Sequence, residues 1–355
     1  MKSKTCKQHK LSKNLHNYIL RDENAVYYEC GFSCDNVIFL RLGSEAFFIT
    51  DPRYTLEAKE YVKEAEVIEA ARDLNEKAVE ILKAGNIKEL YFDSNDWSVA
   101  AFEKLTSKLD ITFTPAPNFS QKKRIIKSSD EILIIKEAAR LGAAAFDAFA
   151  AHLNQHGENK SEKYLFFDAI EKFQKHGEYA LSFEPIVAIN ANAAKPHALP
   201  TDTQLQKGDH LLVDAGLKYQ RYCSDRTRCA EFDGAMDFSK TQTFSNATRQ
   251  KVYDTVLKAQ EASINAVRAG VKANEIDKAG RDVIDKAGFG KYFIHSTGHG
   301  VGLDIHEEPF ISTKSDTLIE EDMIFTIEPG IYLPDDFGVR IEDMVRVTPT
   351  GVEIL

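Results

Sequence analysis

The sequence has no apolar run long enough to cross a membrane. A membrane-spanning helix needs about 18 consecutive apolar residues, and no stretch of this chain approaches that length. The first 20 residues contain five lysines but no apolar segment of the kind that a secretory signal requires. We therefore expect no membrane partner and a cytoplasmic location.

Cysteine is also scarce, and basic residues are outnumbered by acidic ones. Of the five cysteines, Cys30 and Cys34 lie four residues apart without a matching Cys or His pair at zinc-finger spacing. We expect free buried thiols in a reducing compartment, not a disulfide framework. Lys and Arg number 45 against 55 Asp and Glu, and this net charge of −10 argues against a nucleic acid as partner. The same balance is also common in soluble proteins without a metal site.

The composition is that of an ordinary globular protein, with 43% hydrophobic and 28% charged residues. A chain of 355 residues is typical of two domains. We predict a small amino-terminal α/β domain at residues 1–125, because short strand-like runs alternate there with amphipathic segments. The predicted strands lie at 36–42, 46–50, 66–68, 89–92 and 111–113, and the predicted helices at 53–63, 73–84 and 97–109.

A second, larger domain is predicted at residues 126–355. Ser128 and Glu131 form a capping-box signature for a helix that runs to about His152. Further helices are predicted at 161–176, 246–268 and 274–287, and strands at 183–188, 210–214 and in the region from about residue 291. Helices that cluster in sequence, with hairpins between them, indicate an α+β fold and not a doubly wound parallel sheet.

Two aspartates flank a predicted hairpin in this second domain. If the turn centres on Tyr219 and Gln220, Asp214 and Asp225 fall directly opposite one another. Like charges at that position repel, so a bound cation is expected, and two metal ions about 3.5–4 Å apart would fit. The turn lacks the glycine that a two-residue loop prefers. The alternative is a pair of unrelated surface aspartates.

A glutamate pair repeats this arrangement near the end of the chain. Glu328 ends one strand and Glu342 lies in the next, so the two straddle Asp335 symmetrically and are predicted to face one another. A glutamate on an otherwise apolar strand, opposite a second glutamate, again predicts a cation. The alternative is a surface ion pair between Arg340 and Glu342.

A segment rich in histidine and glycine lies between the two hairpins. His295, His299 and His306 fall within twelve residues, in a chain with only 10 histidines. The glycines interleaved among them allow close backbone approach. A lone histidine is more often a core residue than a ligand, but three beside a glycine-rich loop predict a site. His197, which follows Lys-Pro, is a fourth candidate.

Four carboxylates and one imidazole form an oxygen-rich ligand set. Such a set suits Mn²⁺, Co²⁺ or Fe²⁺ better than a structural zinc site, which uses thiolates. Two divalent ions would cancel the charge of four carboxylates, and a water between them can ionise near neutral pH. The sequence therefore predicts a hydrolytic site with two divalent metal ions.

Five short motifs surround these ligands. They are VDAG at Asp214, SDRTR at Asp225, HSTGHGVG at His299, IEPG at Glu328 and GVRIED at Glu342. In order and spacing they resemble the pita-bread metallopeptidases of family M24, in the proline-specific branch of Xaa-Pro aminopeptidase (aminopeptidase P) and Xaa-Pro dipeptidase (prolidase). The resemblance covers the chain from about residue 125 to its end, and the segment from Thr50 to Tyr54 looks like that branch's creatinase-like amino-terminal domain.

The resemblance implies a pita-bread (creatinase/aminopeptidase-like) catalytic domain and a role for each ligand. Asp214 would bind one metal, and Asp225 and Glu342 would bridge both. His299 and Glu328 would bind the other metal. Mn²⁺ is the expected metal, with Co²⁺, Fe²⁺ or Zn²⁺ as alternatives. A homodimer is implied by the family alone.

The resemblance also implies roles for residues beyond the ligands. Glu328 would relay a proton from the attacking water. The hydroxide that results would bridge the two metals and attack the substrate. His306 and His197 would contact the scissile carbonyl, Arg340 would orient the site, and His295 would lie in the substrate pocket. The implied reaction is hydrolysis of the bond between an amino-terminal residue and a following proline.

The chain departs from the family pattern in two places. Arg226 and Cys229 stand where such enzymes usually have an apolar residue and a threonine, so altered tuning of the metal site is expected. No arginine lies between Pro309 and Glu328, where some dipeptidases carry one for the substrate carboxylate. This favours an aminopeptidase over a prolidase, although Lys314 could substitute.

Three rival functions share the fold. A methionine aminopeptidase usually lacks a separate amino-terminal domain, and its last two glutamates lie much further apart than those of this chain. A non-catalytic peptide-binding pseudo-enzyme has no reason to keep five intact ligands, and neither has a metal-free creatinase.

Overall fold

The computed structural model describes residues 15–71 and 73–355. The chain divides into two compact units, an amino-terminal unit that ends at Arg124 and a carboxy-terminal unit that begins at Ile125. Cys6 lies outside the described residues, and the other four cysteines are buried and free. Within the described ranges, no helix is both long and apolar enough to span a membrane.

A six-stranded mixed sheet forms the centre of the amino-terminal unit. Its strands are β1 (Asn17–Leu20), β2 (Val37–Leu42), β3 (Glu45–Thr50), β4 (Glu66–Glu69), β5 (Glu89–Phe92) and β6 (Thr112–Pro115). They are arranged in the order β4-β3-β2-β1-β5-β6, with antiparallel pairs from β1 to β3 and parallel pairs elsewhere. The helices are α1 (Glu23–Cys30), α2 (Thr55–Tyr61), α3 (Leu74–Ala84), α4 (Val99–Thr106) and α5 (Phe119–Lys123).

The helix predicted at 53–63 is shorter than expected. It begins at Thr55 because Asp51 accepts hydrogen bonds from the backbone and side chain of Arg53, which holds a turn before the helix. Strand β1 and helix α1 were not predicted. Helix α1 is delimited by Asp22, whose carboxylate accepts from the backbone N–H of Ala25, and by a glycine in the left-handed conformation after Cys30.

Four long helices belong to the carboxy-terminal unit: α6 (Ser129–His156), α7 (Glu162–Gln174), α8 (Ala247–Ala266) and α9 (Ala273–Lys286). The predicted capping box is present, since Ser128 Oγ accepts from the Glu131 N–H at 3.3 Å and Glu131 Oε2 accepts from the Ser128 N–H at 2.8 Å. The four helices predicted for this region are confirmed, with bounds that differ by a few residues. Short 3₁₀ segments span Asn190–Ala194 and Gly290–Tyr292.

Antiparallel strands make up the rest of this unit. They are β7 (Ala180–Leu181), β8 (Ile186–Ile189), β9 (His210–Ala215), β10 (Leu217–Tyr219), β11 (Tyr222–Cys223), β12 (Arg226–Glu231), β13 (Gly298–Gly300), β14 (Glu307–Ile311), β15 (Ile324–Ile327), β16 (Gly330–Leu333), β17 (Phe337–Arg340), β18 (Asp343–Thr348) and β19 (Gly351–Ile354). The sheets are ordered β12-β9-β8, β11-β10-β7, β14-β13-β15-β18-β19 and β16-β17. The predicted α+β class is confirmed.

Strand β9 is buried on both faces, and this burial determines which face of the strand carries Asp214. Leu211 and Val213 pack into an apolar cluster with residues of α6 and α7. Leu212 packs into a second cluster with residues of α8. Because side chains alternate along a strand, Asp214 shares the face of Leu212.

The turn predicted for the first hairpin is displaced by one residue, so its predicted register is wrong by two residues. Tyr219 pairs with Tyr222, so the turn centres on Gln220 and Arg221, which both have positive φ. In the ladder between β9 and β12, Asp214 is opposite Thr227 and not opposite Asp225. Two-residue hairpin turns usually contain glycine because their central residues have positive φ. Since this turn contains none, its position could not be predicted from the sequence pattern.

The register predicted for the second hairpin agrees with the structure. Ile327 pairs with Asp343 and Gly330 pairs with Arg340, so Glu328 is level with Glu342. Both Arg340 and Glu342 are buried, at 3% and 2% exposure, which excludes the alternative of a surface ion pair.

Candidate metal centre

Five predicted ligands, which lie on strands or next to strand ends, line one cavity of the carboxy-terminal unit. Asp214 lies on β9, Asp225 lies between β11 and β12, and His299 lies on β13. Glu328 directly follows β15, and Glu342 lies between β17 and β18. The cavity has a volume of about 440 Å³, within the range of small-ligand pockets.

Three of these side chains form a compact group of possible ligand atoms. One ligand atom each from Asp225, His299 and Glu342 lies within 4.8 Å of the other two. His299 Nε2 lies 3.6 Å from Asp225 Oδ2 and 3.3 Å from Glu328 Oε1. These separations suit side chains that share a cation.

The fourth carboxylate, Asp214, has one oxygen bound and one without a partner. Arg340 Nη2 donates to Asp214 Oδ2 at 2.6 Å, while Asp214 Oδ1 is buried with no hydrogen-bond partner. A buried oxygen with no partner carries a desolvation cost that a metal ion would remove. The residues therefore fit a bound cation at this position.

Burial and mutual repulsion oppose ionisation of these carboxyl groups. Burial raises the pKa of Asp225 well above its ordinary value, and the charge of Glu342 raises it further. Burial raises the pKa of Glu342 in the same way, and the charge of Glu328 adds to this. The pKa of Glu328 is raised to about 8 by burial. A divalent cation favours the charged forms and would lower all three pKa values.

The ring of His299 presents a free nitrogen to this group. Burial lowers the pKa of His299 to about 3, so its imidazole is neutral near pH 7. Nδ1 lies 3.1 Å from the carbonyl oxygen of Gly300, which can only accept, so Nδ1 carries the hydrogen. The lone pair of Nε2 is then available to a metal ion.

Two threonines that the sequence did not single out hold the ligands in place. Thr227 Oγ1 donates to Glu342 Oε2 at 2.6 Å and accepts from Arg340 Nε at 3.0 Å. Thr326 Oγ1 accepts from the backbone N–H of His299 at 3.1 Å and donates to Glu328 at 3.3 Å. Each threonine lies two residues from a ligand on a strand, so alternation was the one signal that could have found them.

The glycines of β13 are required by close packing of the backbone. A Cβ atom at Gly298 would lie 1.9 Å from the carbonyl oxygen of Thr326, and one at Gly300 would lie 2.2 Å from that of Glu308. Strand β13 can therefore lie between β14 and β15 only without side chains at these positions. This explains the glycines beside His299 in physical terms.

The remaining predicted histidines also line the cavity. The His306 ring packs edge-on against His299, with ring centroids 4.3 Å apart. His295 Nδ1 lies 2.7 Å from the carbonyl oxygen of Ser296, so its Nε2 accepts from Tyr332 Oη at 2.8 Å. His197 is exposed at the cavity wall.

Tyr332 was missed by the sequence prediction, although it connects two predicted residues. Its hydroxyl oxygen accepts from Arg340 Nη1 at 2.8 Å and donates to His295. A chain of hydrogen bonds therefore runs from His295 through Tyr332 and Arg340 to Asp214. The predicted register already placed Tyr332 opposite Gly338, but no pattern in the sequence shows which groups its hydroxyl contacts.

The two departures from the family motif lie close to the ligands. The buried thiol of Cys229 lies 3.5 Å from the carbonyl oxygen of Arg340. Arg226 lies opposite Ala215, and within the described part of the chain its guanidinium has no hydrogen-bond partner. Burial lowers the pKa of Arg226, and the charge of Arg228 lowers it further.

The chain matches two family models that together cover most of its length. Residues 134–349 match metallopeptidase family M24. Residues 4–126 match the creatinase/prolidase amino-terminal domain.

Similar proteins cover nearly the whole chain. An uncharacterized peptidase of Bacillus subtilis, YqhT, is 34% identical over 94% of this chain and 91% of its own length. A solved structure of an Xaa-Pro dipeptidase from Bacillus anthracis is 31% identical, with a TM-score of 0.88 over 99% of this chain and 97% of that one. An X-Pro aminopeptidase from Thermotoga maritima is 30% identical, with a TM-score of 0.85 over 98% and 97%. With its family match over residues 134–349 and a cavity lined by all five predicted ligands, this chain belongs to metallopeptidase family M24.

Proposed function

We propose that this protein is an Xaa-Pro aminopeptidase that uses two divalent metal ions. It removes an amino-terminal residue from a peptide whose second residue is proline. The observation that carries this proposal is the convergence of five ligands on one cavity, beside three histidines that reach the same space. The complete ligand set argues against a non-catalytic peptide-binding protein.

The ligand set divides between two ions. Asp214 would hold one ion, His299 and Glu328 would hold the other, and Asp225 and Glu342 would be shared by both. When bound, the ions supply a water that ionises near neutral pH and a positive charge for the carbonyl oxygen. Mn²⁺ is the first candidate because the donors are mainly carboxylates, with Co²⁺, Fe²⁺ and Zn²⁺ as alternatives.

The protein's own groups position the substrate and move the proton. Glu328 takes a proton from the attacking water and returns it to the leaving proline nitrogen. His306 and His197 donate to the carbonyl oxygen as it gains negative charge. Arg340 orients Asp214 through the contact at 2.6 Å, and His295 contacts the substrate from the cavity wall.

The walls of the cavity support a preference for proline in a longer peptide. Apolar side chains suited to the proline ring line it, among them Phe183, Ile305 and Phe310. Among the described lining residues, Arg340 is the only lysine or arginine, and it is bound to Asp214. A dipeptide places its free carboxylate next to the proline and needs a cation there.

Lys314, the residue that could have replaced such an arginine, is exposed and is not among the described lining residues. This observation favours an aminopeptidase. A prolidase is the second candidate, because a solved relative with a TM-score of 0.88 is an Xaa-Pro dipeptidase. A homodimer and a cytoplasmic location stay predictions.

The proposal is tested by comparing three peptides with Mn²⁺ and with Co²⁺. An Xaa-Pro-Yaa tripeptide should be cleaved with a higher kcat/KM than the Xaa-Pro dipeptide, and an Xaa-Ala-Yaa tripeptide should be cleaved poorly. Faster cleavage of the dipeptide would identify a prolidase instead. Absence of cleavage of all Xaa-Pro peptides by metal-loaded protein would contradict the proposal.

A further inference from the structure

Lys127 and Glu307 form a completely buried ion pair near the candidate metal centre. Lys127 Nζ lies 2.5 Å from Glu307 Oε1, and the two side chains are 1% and 0% exposed. Both residues belong to the carboxy-terminal unit, and Glu307 is the residue directly after His306. The ion pair therefore contacts the chain segment that contains His306, a proposed catalytic residue.

The loop from Gly302 to Glu307 closes around this buried carboxylate. Glu307 Oε2 accepts from the backbone N–H of Asp304 at 3.4 Å, and the Gly302 N–H donates to the Asp304 carbonyl oxygen at 3.1 Å. A Cβ atom at Gly302 would lie 2.5 Å from Glu307 Oε1, so the loop lies directly against the carboxylate. Gly302 is also held by a residue outside the loop, because its carbonyl oxygen accepts a hydrogen bond from the Cys223 N–H at 2.8 Å.

The side chain of His306 has little else to hold it. Within the described part of the chain, its ring makes no hydrogen bond to protein, and its ring contact is the edge-on packing against His299. Its place in the cavity is therefore determined by the backbone of the 302–307 loop. That backbone is held by the ladder pair of Gly300 with Glu307, and the Glu307 carboxylate with its partner Lys127 supports it from the side-chain side.

A buried ion pair contributes little to the free energy of unfolding. The desolvation of two charges offsets most of their attraction, and apolar replacements of similar volume are often as stable. An ion pair does fix two groups in one geometry, because neither charge can lose its partner without a large penalty. The buried location beside the His306 loop fits such a positioning role.

We propose that Lys127 and Glu307 are positioning residues that hold His306 against the substrate carbonyl. This inference rests on the proposed function, which gives His306 its role. Loss of the pair should lower kcat by about tenfold or more, because the contact of His306 is made in the transition state. KM and metal content should change little.

A double-mutant cycle with His306→Ala tests this coupling. Glu307→Gln and Lys127→Met should each lower kcat in the wild-type background but change it less than about twofold in the His306→Ala background. Equal fold-losses in both backgrounds would overturn the proposal, because a merely structural role is independent of His306. Lys136→Met, which breaks a half-exposed ion pair with Glu353, is the control and should leave kcat unchanged.

Hydrogen exchange separates failure of this inference from failure of the proposed function. In metal-loaded Glu307→Gln protein, the amides of residues 302–306 should exchange about tenfold faster or more, with metal content retained. Unchanged exchange would overturn the positioning role even if wild type cleaves Xaa-Pro peptides. Where Lys127→Met does not fold, Lys127→Met/Glu307→Met removes both charges and is measured in its place, with the same expected loss of protection.

Discussion

Removal of the Glu328 carboxyl group should change how the stability of metal-free protein depends on pH. Burial raises the pKa of Glu328 from 4.5 to about 8, and unfolding returns it to its ordinary value. Between these values the folded protein keeps a proton that the unfolded chain has released, so the free energy of unfolding falls as pH rises. One proton corresponds to about 1.4 kcal/mol per pH unit, or roughly 2–3 kcal/mol between pH 6 and pH 8.

Glu328→Gln removes this titration and should reduce the slope by about that amount. Part of the slope should remain, because the pKa values of Asp225 and Glu342 are also raised. Urea unfolding of chelator-treated protein near pH 6, 7 and 8 measures the effect. Glu261→Gln, at an exposed position of α8, is the matched control and should keep the full slope. Equal slopes in wild type and Glu328→Gln would show that the pKa of Glu328 is not raised in the folded protein.

Other substitutions test the separate roles. Asp225→Asn should abolish paired metal binding and activity but leave the circular dichroism spectrum unchanged, with exposed Asp202→Asn as control; retained turnover with Mn²⁺ would contradict the ligand assignment. His306→Ala should lower kcat by about a hundredfold with metal content retained, and a parallel loss of metal would make it a ligand instead. Arg226→Met should raise the free energy of unfolding by about 1 kcal/mol, because it removes a largely buried cation for which the described residues provide no hydrogen-bond partner; a lower denaturation midpoint would show that Arg226 has a stabilising partner.

Local signals predicted much of the carboxy-terminal unit. Ser128 and Glu131 marked the start of α6 because a capping box is a local pattern of four residues. Strand β8, by contrast, begins at Ile186 and not at residue 183, since Pro185 has no N–H to donate to a ladder. The second hairpin was placed in the correct register because its turn is symmetric about Asp335.

The parts that could not be predicted depend on register and on long-range contacts. The turn at Gln220 and Arg221 contains no glycine, so the first hairpin was displaced and Asp214 was placed opposite the wrong residue. Thr227 and Tyr332 gain their roles from hydrogen bonds to Arg340, which lies 113 and 8 residues away in sequence. No local pattern reports such contacts.

The most direct test of the proposed two-metal aminopeptidase is a titration of Xaa-Pro-Yaa cleavage against bound metal. Metal-free protein is loaded stepwise with Mn²⁺, and metal content and release of the amino-terminal residue are measured on the same samples. We expect no cleavage without metal and maximal cleavage when two ions are bound per chain. Cleavage that is maximal in metal-free protein, or absent with two ions bound, would contradict this proposal.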